Sequence, residues 1–134
     1  MQAMRRSNGV KFSRLYRGFG NGQRGERSVA PFWSESEALA AQYGQVGAGS
    51  GSFKNALEID AAGGPWFDVP IPAALRREFR GLQTTDTEAL AAAAKRRGYD
   101  GLVIRNVMDD DTGVVLEPTT VVADLSGRIL PVRG

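Results

Sequence analysis

Two short signatures do most to limit the folds open to this chain. Ser34-x-x-Glu37 and Thr85-x-x-Glu88 are capping boxes, in which a hydroxyl and a carboxylate three residues apart satisfy backbone N–H groups at a helix start. Each precedes a helix-favouring stretch that stops at a glycine: Ala38 to Tyr43 before Gly44, and an Ala-rich segment to Arg97 before Gly98. A shorter helix is expected over Pro72 to Phe79, with proline in its first turn. The rest is punctuated for short strands: Ser13 to Arg17, Val29 to Trp33, Phe53 to Asp60, Leu102 to Arg105, Val114 to Leu116, Thr120 to Ala123 and Arg128 to Val132. Pro31 moves the second of these to a sheet edge or bulge, and Trp66 to Val69 adds a short extended piece ending at Pro70. Helices interrupt this series without alternating with it, which predicts a mixed α+β domain rather than a doubly wound sheet. Two glycine-dense stretches read as loops: GFGNGQRGE from Gly18 to Glu26, and GQVGAGSGS from Gly44 to Ser52, the latter mobile and inside the domain.

The 134 residues suffice for one core, expected over 13–134 behind a basic N-terminal tail at 1–12. The chain contains neither histidine nor cysteine, which removes serine–histidine and cysteine–histidine catalysis, His-based metal sites, thiolate sites and disulfides. Chemistry must come from Arg, Lys, Asp, Glu, Ser, Thr, Tyr or backbone groups. No apolar run nears the roughly 18 to 20 residues of a membrane span, and MQAMRRSNGV lacks a signal-peptide apolar stretch. The expectation is a soluble protein made in the cytoplasm, with delivery into a target cell left open.

The net charge of +2 hides an uneven distribution. Residues 1 to 27 carry seven Lys/Arg against one Glu, 28 to 71 one against five, 72 to 105 seven against four, and 106 to 134 two against five. Fourteen of the seventeen bases are Arg, whose planar fork suits phosphate and carboxylate. Solvated surface is the ordinary fate of such charges, and Lys95-Arg96-Arg97 already suits the negative pole of a helix. No basic–aromatic stripe marks a nucleic-acid site.

The familiar loop motifs fail on context. Gly18-Phe19-Gly20 lacks the helix that must open directly from a dinucleotide-binding loop, and the P-loop pattern is absent. Asp109-Asp110-Asp111-Thr112-Gly113 has the wrong spacing for a calcium loop and reads as a polar hairpin turn.

One combination does stand out. Tyr16-Arg17-Gly18 ends the first strand; Phe32-Trp33-Ser34 ends the second; Tyr43 follows Phe32 by eleven positions; Gly98-Tyr99-Asp100-Gly101 precedes the LVIR strand, with Asn106 just after it. In this order and spacing the chain, from roughly Arg14 to Ile129, resembles an ADP-ribosyltransferase domain, in particular the small versions of bacterial toxins and phage polyvalent proteins. The resemblance implies a split β-sandwich with inserted helices that holds the nicotinamide end of NAD in a cleft. It implies that Gly18 offers its backbone to the carboxamide, with Tyr16 and Arg17 beside it, and that Phe32 and Tyr43 sandwich the pyridinium. An aromatic face attracts a cationic ring, although core packing is the plain alternative for each ring. Arg17 stands where family members carry His or Arg, so the chain looks like the Arg-Ser-Glu type, with Ser34 as its serine in addition to any capping role. Arg17, Arg24 and Arg27 are candidates to hold pyrophosphate or ribose.

That family also needs a carboxylate beside the ribose, to fix its 2′-hydroxyl and offset developing positive charge. Counting back from Thr120-Val121-Val122-Ala123-Asp124 brings Thr119 to the expected position. Glu117 is the nearest carboxylate and the candidate catalytic acid, the alternative being an exposed strand-end glutamate. The expected activity is transfer of ADP-ribose from NAD to a macromolecular acceptor, protein or nucleic acid, with release of nicotinamide and no metal. NAD hydrolysis is a close variant. A degenerate domain acting as a binding or inhibitory module on a target or immunity protein, or a plain structural domain with a basic edge, are the alternatives from other classes.

Overall fold

A computed structural model describes residues 9–20, 30–42, 44–108 and 117–132. In chain order the elements are β1 (Val10–Gly20), β2 (Phe32–Ser34), α1 (Glu37–Ala41), β3 (Gly44–Phe53), β4 (Ala56–Asp60) and β5 (Val69–Pro70). A 3-10 helix (Ala73–Glu78), β6 (Thr84–Thr85), α2 (Thr87–Arg96), β7 (Gly101–Val107), β8 (Thr119–Asp124) and β9 (Leu130–Pro131) follow. The fold is mixed, mostly strands with a few helices. Seven strands form one sheet in the order β4-β7-β8-β2-β1-β3-β9, and β5 and β6 form a separate ribbon.

Apolar runs without alternation explain the middle of this sheet. Leu102 and Ile104 of β7 and Val121 and Ala123 of β8 belong to one buried cluster, with Leu39 of α1, Leu75 of the 3-10 helix and Leu90 of α2. Val103 and Val122 point the other way, into a second cluster with Phe12, Leu15, Trp33, Phe53 and Ile129. Strands buried on both faces read as continuous hydrophobic segments, as LVIR does. β4 and β7 are parallel, so the chain must cross over between them, and the ribbon, the 3-10 helix and α2 lie in that connection.

Several sequence expectations shift. The Gly44 to Ser52 stretch is not a loop: it is most of β3, paired with β1 from Val10↔Phe53 to Gly20↔Gly44. Its glycines make room for a neighbouring layer. A Cβ on Gly49 would lie 2.7 Å from Ile129 Cγ2 and 2.8 Å from Trp33 Cζ3, and one on Gly51 would meet the Arg128 carbonyl oxygen. β1 is longer than Ser13 to Arg17; it takes in Val10, Lys11 and Phe12 as well as Gly18 to Gly20 of the expected glycine loop. The Phe53 to Asp60 segment breaks at Lys54-Asn55, where the Asp100 carboxylate accepts from both backbone N–H groups at 2.7 and 3.0 Å. The Arg128 to Val132 strand shrinks to Leu130–Pro131, and the extended piece begins only at Val69.

Both caps move along the chain. Ser36, not Ser34, is the N-cap of α1 and accepts from Leu39 N–H at 3.1 Å. Asp86, not Thr85, caps α2 and accepts from Ala89 N–H at 2.7 Å. The strand ladders decide this: Ser34 is paired with Val121 and Thr85 with Val69, so each hydroxyl residue is still extended. The Val114 to Leu116 strand and the aspartate turn lie outside the described residues. No helix among the described residues is long and apolar enough to cross a membrane.

Candidate functional site

The candidate site lies along the β1–β2 boundary. β2 is fully laddered to β8 through Phe32↔Ala123, Trp33↔Val122 and Ser34↔Val121. Toward β1 it has one register pair, Tyr16↔Ser34. The seven-stranded sheet is therefore stitched at a single position here: beyond it Gly18 of β1 is paired with Val46 and Phe32 of β2 with Ala123, and not with each other. Side chains alternate along strands, so Tyr16 and Gly18 share one face with Phe32 and Ser34.

Ser34 is 5% exposed. Its Oγ accepts from Ser36 N–H at 2.9 Å and lies 3.5 Å from Thr119 Oγ1. The first hydrogen bond is a turn in which a hydroxyl binds backbone two residues ahead, and it ends β2 while leaving Ser36 to start α1. The contact with Thr119 joins the second strand to the first residue of β8. Phe32 is half-buried and packs against the cluster beneath α1 and α2. Tyr16 is half-buried, and the Arg14 guanidinium lies 5.7 Å from the centre of its ring, within cation–π range. Arg14 was not among the sequence candidates; it lies where β1 shifts register against β3, between Phe12 and Leu15, an irregularity that strand alternation does not signal.

Arg17 falls on the other side. It neighbours Tyr16 in a regular stretch of β1, so its side chain shares the face of Leu15 and Trp33, away from Ser34. Burial lowers its guanidinium from the ordinary value, and arginine nonetheless stays cationic across the working pH range. Glu117 is exposed and lies two residues before β8. Thr119, rather than a carboxylate, is the residue beside Ser34, and Glu117 has no hydrogen-bond or ion-pair partner among the described residues. Tyr43, Arg24 and Arg27 lie outside the described residues. The structure thus pairs Tyr16 with Ser34 and sets Phe32 and Gly18 on the same faces of their strands, brings Arg14 to Tyr16 and Thr119 to Ser34, turns Arg17 to the other face of β1, and leaves Glu117 exposed two residues before β8.

The chemistry open to this arrangement is recognition before catalysis. A half-buried ring, a glycine without a side chain and a break in the ladder together give a planar polar group a surface to stack on and a backbone to approach closely. Among the described residues no group of three or more acidic side chains could hold a metal ion. Comparison of the chain with protein-family models, curated proteins and solved structures gives no match.

Proposed function

We propose that this protein is an NAD-dependent mono-ADP-ribosyltransferase with a split β-sandwich of the small toxin or phage type. The observation that supports the reading is the single-pair seam between β1 and β2, which pairs Tyr16 with Ser34 and leaves the strands unpaired with each other at Gly18 and Phe32. The nicotinamide ring stacks on Phe32, and its carboxamide meets the backbone at Gly18. Ser34 Oγ and Thr119 Oγ1 face the ribose, and Arg14 supplies positive charge for the phosphates. The reaction breaks the bond between nicotinamide and ribose C1′, the electron pair leaving with nicotinamide. The acceptor nucleophile then bonds to C1′ and gives up its proton. A pose that binds the oxocarbenium-like transition state more tightly than NAD itself is what accelerates such a step.

Thr119 beside Ser34 favours a second reading, a domain that binds NAD in the same seam and transfers ADP-ribose poorly. The transferase reading requires Glu117 to approach the seam from its exposed position. Nicotinamide release from NAD, with and without cell extract as acceptor source, separates the two. The transferase reading predicts release that falls at least a hundredfold in Glu117→Gln, about 3 kcal/mol of transition-state stabilisation. NAD binding without release assigns the degenerate reading, and absence of both overturns the proposal.

A further inference from the structure

We propose that the arginine cluster where the 3-10 helix meets the C-terminal end of α2 is a docking surface for the phosphate backbone of double-stranded DNA. Arg96 donates to Glu78 through Nε at 3.1 Å and its terminal nitrogen at 2.9 Å, which ties the two helix ends together. Arg76, Arg77 and Arg80 lie within two residues of Glu78, and Lys95 and Arg97 flank Arg96. All six cationic residues are exposed. Among the described residues, Arg96–Glu78 is the only ion pair in which any of them takes part.

Intramolecular needs account for a minority of this charge. A helix C-terminus carries about half a negative charge, so the ends of α2 and the short 3-10 helix call for about one cation between them. Glu78 neutralises one more. Counting six cations against these two terms, about four positive charges remain without a counterpart among the described residues. The acids of α2, Asp86 and Glu88, stand at its other end. A helix of that length puts them about 15 Å away, beyond the Debye length of about 8 Å at physiological ionic strength.

The composition of the cluster selects the partner. Five of the six are arginine, whose fork pairs with phosphate oxygens in two parallel hydrogen bonds. A protein interface would need an apolar or aromatic centre, and among the described residues Leu82 is the exposed large apolar side chain next in sequence to the cluster. The nearby rings, Phe79 and Tyr99, are half-buried against the core. A patch dominated by arginine charge fits a duplex held through its backbone, independent of base sequence. This surface is separate from the β1–β2 seam, and its test needs no NAD.

Fluorescence anisotropy of a labelled mixed-sequence 20-base-pair DNA, titrated with the full chain between 50 and 200 mM NaCl, tests the proposal. The expected result is binding that weakens with salt at a log–log slope of about −3 to −4, at about 0.9 per phosphate contacted. Arg76→Glu/Arg77→Glu/Arg97→Glu should weaken binding at least tenfold and flatten the slope. The milder Arg77→Gln/Arg97→Gln, with an unchanged melting temperature, should show a smaller loss in the same direction. Lys11→Glu/Lys54→Glu, away from the cluster, should bind within twofold of wild type. No binding at 50 mM NaCl, cluster variants that bind like wild type, a larger loss from the Lys11/Lys54 variant, or equal displacement by poly-glutamate at matched charge would each overturn it.

Discussion

Asp124 is a carboxylate only 4% exposed, and its two oxygens accept from Arg128 N–H and Ile129 N–H, each at 2.8 Å. It holds the turn that returns the chain across β3. Hydrogen bonds to a charged group contribute about 1.5 to 3 kcal/mol, and a buried donor left unmatched adds its own cost. Asp124→Ala is therefore expected to lower urea-unfolding stability by about 2 to 4 kcal/mol. Asp60 acts on the pH axis. Hydrogen bonds from the Asn106 side chain and from Ala62 N–H hold its carboxyl below the ordinary carboxylate range. At acid pH the unfolded chain then binds this proton more readily than the native one does. Its stabilising contribution is present above the unfolded pKa and is lost as pH falls through the lower native one. Asp60→Asn should flatten that part of the stability–pH curve; an unchanged acid limb would contradict the role. Ser34 was legible as a residue of consequence from its hydroxyl and its neighbours. That it meets Thr119 was not, because a contact spanning 85 residues depends on strand order, and that it binds Ser36 N–H follows only once the ladder holds Ser34 extended.

β3 shows why a sequence pattern can mislead about an element. Glycine weakens a strand and marks loops, so GQVGAGSGS has no local signal for β structure. The strand exists because its partners supply what it lacks: β1 pairs along its length, and Trp33 and the Arg128-Ile129 segment fill the space its missing side chains leave. Gly49→Ala should accordingly destabilise by about 1 to 3 kcal/mol through overpacking, measured by urea denaturation. Gly101→Ala should behave alike, its Cβ falling 2.5 Å from Phe53 Cδ1. If either variant matched wild type, the close packing of this face would be wrong. The helices were readable to within a residue or two, because caps and glycine stops are local chemistry. Their starts moved once the ladders claimed Ser34 and Thr85. For α2 the cap is testable: Asp86→Ala should cost about 1 kcal/mol, more than Thr85→Ala in the strand that precedes the helix.

At the scale of the molecule, the sheet joins a well-laddered half, β4-β7-β8-β2, to a second half, β1-β3-β9, through one residue pair. The mixed class was legible from helices inserted among short strands. The seam was not, since it arises from how β2 divides its partners between β8 and β1. Every candidate the structure gathers, from Tyr16 and Gly18 to Phe32, Ser34 and Thr119, borders that seam, and the functional reading rests on it. NAD affinity by calorimetry for wild type and Phe32→Ala, each checked for an unchanged fold by melting temperature, tests it most directly. The account predicts NAD binding that nicotinamide displaces and that weakens about five- to thirtyfold in the variant, the equivalent of about 1 to 2 kcal/mol of ring stacking. Undetectable NAD binding to wild type, or an equal affinity in the folded variant, would contradict it.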